Sequence, residues 1–358
     1  MTILHVVPDD ALGGGAVNVA RLMRAAAARA GGDVAQSALI PSNADARLRD
    51  LYADLPHQTG AFRGRGALPE MARAIGKAAG KGDLVHAHGT RAALAASLAG
   101  LVRADLRLVY TVRGFHGLAQ PGPFGVRVKL EHWLARRMHA TAFVSAADAA
   151  LARKTGLRHR GPVAVVENGV PLPQVPAPAD RTRDIDVLFV GRLVTQKHPE
   201  AFVDAVARLP GTPRIVMIGA GDLAAEVDAR AAAAGLAAFE RIDGLGHAEV
   251  LARMARARIL VMTSRWEGLP TVAIEALLSG CLVAGFHIPP LAEVLDDDAP
   301  DLLTPHDPAA LAERLAALLA DEPGRAARAA RLGAAAKLRF DPARMAERYA
   351  ALYAAARA

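Results

Sequence analysis

Apolar residues fall along this chain in short unbroken runs, separated by longer stretches in which they recur every three or four positions. The short runs predict strands at residues 3–7, 34–40, 84–87, 106–112, 141–144 and 163–166, and again at 186–190, 214–218, 259–263 and 282–284. The helical spacing predicts helices over 16–28, 91–98, 199–208, 222–233 and 248–255. Strands that alternate with helices in this way predict parallel sheets covered on both faces. One segment breaks the alternation: residues 171–178 hold four prolines, which stiffen the chain and remove donors, and read as a linker. It separates two similar α/β units, at 1–170 and 185–340, with the linker at 171–184. Each unit opens with a strand and a glycine-containing loop, Gly13-Gly14-Gly15 in the first and Gly191 in the second. The fold expected is two Rossmann-like domains with parallel sheets facing a central cleft. Two helical segments follow the last strand, at 309–319 and 324–338. A final amphipathic run at 341–358 carries Met345, Tyr349, Leu352 and Tyr353 on one face and is expected to pack across the domain junction.

Composition narrows the picture. A chain of 358 residues is long enough for two cores, and with 52% apolar but only 4% aromatic residues those cores must be built of Ala, Val and Leu. No apolar run reaches the ~18–20 residues that span a bilayer, and Met1-Thr2-Ile3-Leu4-His5 lacks a basic n-region. The expectation is a cytoplasmic protein. Its one cysteine, Cys281, has no partner for an intrachain disulfide and begins an apolar strand, so it reads as a small buried hydrophobe. A net charge of +7 attracts nucleic acid, anionic lipid or phosphorylated ligands. No helix-turn-helix, zinc-finger or aromatic RNA-binding pattern accompanies it, so nucleic acid is not expected as a partner.

The richest chemistry lies in Arg265-Trp266-Glu267-Gly268-Leu269-Pro270-Thr271-Val272-Ala273-Ile274-Glu275. It reads as strand, loop and helix, with Glu267 at the strand's carboxyl end, where open α/β sheets bind ligands. Pro270 suits a first helical turn, and the amides of Thr271 and Val272 then face an anion at the positive end of the helix. Arg192 and Lys197 flank the loop after the strand 186–190 and could neutralise a diphosphate; as lone residues they would be read as solvated surface charges. Gly13-Gly14-Gly15 lets a backbone approach a ligand, but it is neither GxGxxG nor a Walker sequence, which argues against nicotinamide dinucleotide and ATP. His86 and His88 alternate at a strand end. Zinc would need a third ligand that the neighbouring sequence does not supply, so a structural or substrate-contacting role is favoured. Asn168-Gly169 reads as a turn marking the hinge.

These residues, in this order, resemble the retaining glycosyltransferases of family 4, which have the GT-B fold. The resemblance runs through Gly13–Gly15, Asp83 to Gly89, Tyr110-Thr111-Val112, Val144-Ser145, Glu167 to Val170, Gly191-Arg192-Leu193 with Lys197, Gly219 to Asp222, Ser264, the Glu267/Glu275 pair and Leu303-Thr304-Pro305. It implies an acceptor-side first domain and a second domain that binds the donor, a nucleotide-diphosphate sugar, with uridine ahead of guanosine. Arg192 and Lys197 would hold the diphosphate, helped by the Gly14-Gly15 backbone. Glu267 would sit at the donor sugar. Gly268, Leu269, Thr271 and Val272 would line the donor, and Glu275 would accept from the ribose hydroxyls. No metal or separate cofactor is implied. The family's Tyr-Thr-x-His-Gly-Phe-His pattern reads here Tyr110-Thr111-Val112-Arg113-Gly114-Phe115-His116. Arg113 thus stands at the usual active-site histidine and His116 at the second one. Either Arg113 takes over a phosphate or sugar contact, or the first histidine's role is lost.

The cationic stretch 124–138 resembles that of relatives acting on polyprenyl-diphosphate-linked sugars, and could lie on an anionic membrane at its inner face. The alternative is an ordinary surface helix with Leu130, Trp133 and Leu134 packed inward. The function expected is retaining sugar transfer to a glycan or lipid-linked acceptor in surface-polysaccharide synthesis. The alternatives are a sugar-nucleotide epimerase or hydrolase of the same fold, or a non-catalytic sugar-nucleotide-binding scaffold.

Overall fold

The structure is a computed structural model that describes residues 2–29, 34–62, 67–115, 124–173 and 183–357, with Phe124 by its backbone alone. The chain forms two compact units: Met1–Pro171 together with Phe340–Ala358, and Leu172–Arg339.

The first unit is built on β1 (Thr2–Val6), β2 (Ala35–Pro41), β3 (His57–Gly60), β4 (Leu84–His88), β5 (Arg107–Val112), β6 (Ala140–Phe143) and β7 (Val163–Val165). They pair in the order β3-β2-β1-β4-β5-β6-β7, every pair parallel. The central strands are buried along their whole length, as the unbroken apolar runs require of a sheet covered on both faces. In the β1–β4 register His5 lies opposite His86.

The terminal helix Pro342–Ala355 belongs to this unit. Its Met345, Tyr349, Leu352 and Tyr353 are buried in one core with Ile3, Leu22, Leu84 and Val109. The run expected to lie across the domain junction thus completes the first unit's core, because its apolar stripe meets the face of the first sheet. The departing and returning chain lie side by side: the Val170 N–H donates to the Phe340 carbonyl at 2.8 Å, and the Gly169 N–H to Met345 Sδ at 3.1 Å. A side chain on Gly169 would press into the Pro342 backbone, so the turn read as a hinge is packed within this unit.

The second unit carries β8 (Ile185–Val190), β9 (Ile215–Ile218), β10 (Phe239–Ile242), β11 (Ala257–Met262), β12 (Leu282–Phe286) and β13 (Leu303–Thr304). Their order is β10-β9-β8-β11-β12-β13, again parallel throughout. In both sheets the order of the strands therefore reverses once, between β1 and β4 in the first and between β8 and β11 in the second. At such a point neighbouring connections diverge to opposite faces and leave a crevice at the strands' carboxyl ends. Cys281, just before β12, is buried, and burial pushes its thiol up to about 12. Among the described residues, no helix is long and apolar enough to cross a membrane.

Candidate active site

In the second unit the loops after β8 and β11 meet at the sheet's reversal. Gly219 and Gly221, after β9, let a third loop pack against the one after β8. A β-carbon on either would overlap the carbonyl oxygen of Gly191 or Leu193, so the β9 loop could not lie against the β8 loop with any larger residue. Thr263 Oγ1 then donates to the carbonyls of Lys197 (3.1 Å) and His198 (2.8 Å), and the Arg265 N–H to that of Gln196 (2.8 Å). His198 takes a left-handed conformation, φ 51°, ahead of Pro199, where the helix Pro199–Val206 begins. A non-glycine residue held there stores strain of about 1–3 kcal/mol, which the flanking hydrogen bonds offset.

This framework brings Lys197 and Glu267 together as a partly buried ion pair. The Glu267 side chain is 10% exposed and that of Lys197 16%. The carboxylate also accepts from Ser264 Oγ at 2.8 Å and Gln196 Nε2 at 3.4 Å. Gln196 further donates to the Trp266 carbonyl at 3.0 Å, which fixes the loop ahead of Gly268 and Leu269. Pro270 precedes the helix Thr271–Leu278, and its carbonyl takes the Ala273 N–H at 3.0 Å. The amides of Thr271 and Val272 come too early for an intrahelical acceptor and form the positive end of the helix. Glu275, further along it, lies 3.0 Å from His247 Nε2. Arg192 is exposed and, among the described residues, reaches this cluster through Gln196, at 3.5 Å.

In the first unit, Gly13 caps a helix that begins at Gly14, so Gly14 and Gly15 form its first turn rather than a loop. Among the described residues, a β-carbon at Gly13 or Gly14 would meet nothing within 4 Å, and one at Gly15 would meet only Arg113 Cδ, at 4.0 Å. Packing among the described residues therefore does not explain these glycines. Arg113 follows β5. Its Nη2 lies 3.0 Å from His88 Nδ1 and its Nη1 3.4 Å from Asn168 Oδ1, while its Nε is buried without a partner among the described residues. His116, the other candidate on this segment, lies outside the described residues.

β1 contributes His5 as the third member of the His86/His88 pair, which local sequence could not supply; their ligand atoms lie within 4.8 Å of one another. Every ring nitrogen is engaged. His5 binds His88 (3.0 Å) and Gln36 (2.9 Å), and His86 binds Tyr353 (2.8 Å) and Thr111 (2.7 Å). His88 completes the set through Arg113. Burial first, and then positive neighbours including Arg113, hold His86 and His88 well below the usual imidazole range. Burial lowers His5 to about 4. At neutral pH all three are uncharged.

Behind this cluster Glu131 is buried on the helix Phe124–Ala135 and accepts from Thr90 Oγ1 (2.8 Å) and Tyr110 OH (3.1 Å). Burial raises its carboxyl from 4.5 to about 6. An acid with a raised folded-state pKa loses stability as pH climbs from its unfolded value through its folded one. Glu131→Gln should therefore stabilise the protein by about 2 kcal/mol at pH 8 and by almost nothing at pH 4, read as the difference in thermal midpoint. An equal midpoint change at both pH values would contradict this. On the same helix Leu134 is buried and Leu130 partly so, but Trp133 is 40% exposed with Arg137 stacked over it at 5.1 Å. The inward packing expected for Trp133 does not occur, because Leu134 takes the core-facing position.

Two Rossmann-like units, each a doubly wound parallel sheet, define a GT-B protein. Residues 13–174 match the Glycosyltransferase Family 4 domain, and residues 175–339 match Glycosyl transferases group 1. The chain therefore consists of two glycosyltransferase domains in series. Over its whole length it is similar in fold to Anabaena HepE in complex with UDP and glucose, with TM-score 0.84, 19% identity and 99% of each chain covered. It is also similar to sucrose-phosphate synthase from Thermosynechococcus elongatus (TM-score 0.82, 17% identity, 99% of this chain and 98% of that one). In sequence it is 34% identical over 143 residues to a Campylobacter jejuni enzyme, the GalNAc-alpha-(1->4)-GalNAc-alpha-(1->3)-diNAcBac-PP-undecaprenol alpha-1,4-N-acetyl-D-galactosaminyltransferase. That match covers 38% of this chain and 39% of the enzyme. It is 34% identical over 160 residues to the D-inositol 3-phosphate glycosyltransferase of Xylanimonas cellulosilytica, covering 43% of this chain and 38% of that protein. The chain thus spans about two fifths of the length of these curated relatives.

Proposed function

We propose that the protein is a retaining glycosyltransferase that moves a sugar from a nucleotide-diphosphate sugar, uridine ahead of guanosine, to an acceptor hydroxyl in surface-polysaccharide or lipid-linked glycan synthesis. The observation that carries this reading is the Lys197–Glu267 pair beside the start of the helix Thr271–Leu278, at the carboxyl ends of β8 and β11. In it, Lys197 and Arg192 receive the diphosphate, and the amides from Gly268 to Val272 add donors. Glu267 accepts from the sugar hydroxyls, and Glu275 from the ribose. The acceptor oxygen bonds to the anomeric carbon as the bond to the phosphate oxygen breaks. The acceptor's proton passes to the departing diphosphate. Cations and a helix start stabilise the charge that develops there, so neither a metal nor a second carboxylate nucleophile is required. The UDP bound by HepE and the undecaprenol-linked acceptor of the Campylobacter enzyme support the donor and acceptor classes.

The test is transfer from UDP-sugars in the presence of a chelator, with the product's anomeric proton followed by NMR. A product of unchanged anomeric configuration is expected, at the same rate with and without chelator. Inversion, or loss of activity that metal restores, would overturn the mechanism. Release of free sugar or an epimer without acceptor would favour a hydrolase or epimerase.

The same reading places the first unit against an anionic membrane surface. Val126 and Trp133 on the helix Phe124–Ala135, and Leu98, Leu101 and Val102 on the helix Thr90–Val102, are exposed, with Arg127, Lys129 and Arg136 exposed among them. Sedimentation with phosphatidylglycerol vesicles, but not with phosphatidylcholine vesicles, is expected for the wild type and should be lost in Leu101→Ser/Trp133→Ser. Equal behaviour of the two proteins would remove this surface from the account.

A further inference from the structure

We propose that His5 and His88 are positioning residues whose uncharged imidazoles hold the Arg113 guanidinium as an uncompensated cation, set to receive a phosphate group of the substrate. The direction of every hydrogen bond follows from donor arithmetic. A guanidinium only donates, so His88 Nδ1, 3.0 Å from Arg113 Nη2, must accept. His88 then carries its proton on Nε2, which lies 3.0 Å from His5 Nδ1. His5 Nδ1 accepts in turn, so the His5 proton sits on Nε2 and is donated to Gln36 Oε1 at 2.9 Å. The relay runs one way, from Arg113 through His88 and His5 to Gln36. A further proton on either imidazole would set donor against donor across it.

Two consequences follow. The three histidines have the spacing of a metal site but offer no lone pair to a metal. His88 Nδ1 is taken by Arg113 and His5 Nδ1 by His88, and both Nε2 atoms carry protons. His86 is held at both nitrogens by Tyr353 and Thr111. The second consequence is electrostatic. Arg113 is held only by a neutral imidazole and by the Asn168 amide oxygen, and it pairs with no carboxylate among the described residues. Asp9, the acid whose field acts on it, is bound to Arg91 at 3.3 Å. A half-buried cation without a counter-ion is costly, and so is its buried, unpartnered Nε. An anion that binds the guanidinium supplies the missing counter-charge. The side chain lies over Gly15, at the start of a helix with no acid in its first turn, next to the open space at Gly13 and Gly14.

This inference rests on the proposed function only for the identity of the anion. The test is calorimetry of the full chain with inorganic pyrophosphate and with UDP, together with 15N NMR of the histidines. His88→Leu and Arg113→Ala should each weaken binding about tenfold or more. The double variant should be no weaker than Arg113→Ala alone, and His88→Gln, which keeps an acceptor, should recover most of the loss. Wild-type affinity in His88→Leu, or losses that multiply in the double variant, would overturn the proposal. The NMR needs no variant to fold: His5 and His88 should be neutral Nε2–H tautomers at pH 7, and an imidazolium or an Nδ1–H tautomer at either would overturn it. Stoichiometric zinc bound by wild type and lost in His5→Ala would do the same. If Arg113-dependent pyrophosphate binding is found without sugar transfer, the proposed function fails and this inference stands.

Discussion

Glu267→Ala is expected to lower turnover by about a hundredfold or more while leaving nucleoside diphosphate affinity within a few-fold of wild type. The two effects separate because of what the carboxylate touches. It is held by Ser264 Oγ, Gln196 Nε2 and Lys197, so its oxygens are fixed in place before any substrate arrives. Fixed acceptors in a water-poor site stabilise a transition state without reorganising. The diphosphate, by contrast, is drawn by cations, and removing Glu267 frees Lys197 for it. Glu267→Gln keeps an acceptor for Ser264 and should lose less. Steady-state turnover set beside UDP calorimetry checks this. A defect confined to UDP binding would take Glu267 away from the sugar.

The second large effect is on donor binding. Lys197→Ala should weaken UDP-sugar binding by ~1.5–3 kcal/mol, the size of one charge-assisted hydrogen bond, which is about 10- to 150-fold in Kd. Arg192→Ala should fall at the lower end of that range. Its side chain is exposed and, among the described residues, anchored through Gln196 alone, so ordering it costs more and salt screens it more. Its contribution should shrink as salt rises, while that of the half-buried Lys197 is screened less. Unchanged affinity in both variants would sink the diphosphate assignment.

Much of this was legible because the two sheets are buried on both faces, and their strands write themselves as unbroken apolar runs. Of the four edge strands, β7 was legible as the run at 163–166, and β3, β10 and β13 were not. An edge strand has one neighbour and a solvated flank and can dispense with such a run, as His57–Gly60 and Phe239–Ile242 do. Lys197 and Glu267 stand 70 positions apart, yet each sits just past the carboxyl end of a strand, β8 or β11. Strand order alone therefore brings them together. The histidine cluster shows the opposite case. His5 joins His86 and His88 only through the register of β1 on β4, and nothing near the pair in sequence announces it. His247 meets Glu275 in the same unannounced way. The terminal helix shows a third limit: an amphipathic stripe states that one face is buried, not which sheet buries it.

The central claim is that the second unit binds a nucleotide-diphosphate sugar through Arg192, Lys197 and the Glu267 loop. The most direct measurement is a thermal-shift panel of uridine, guanosine and adenosine diphosphates and their sugars, run on wild type and on Lys197→Ala. Ligands that bind the native state raise its midpoint by mass action. The account predicts one strong nucleotide series, uridine foremost, whose shift is largely lost in the variant. No shift with any nucleotide, or an undiminished shift in Lys197→Ala, would contradict it.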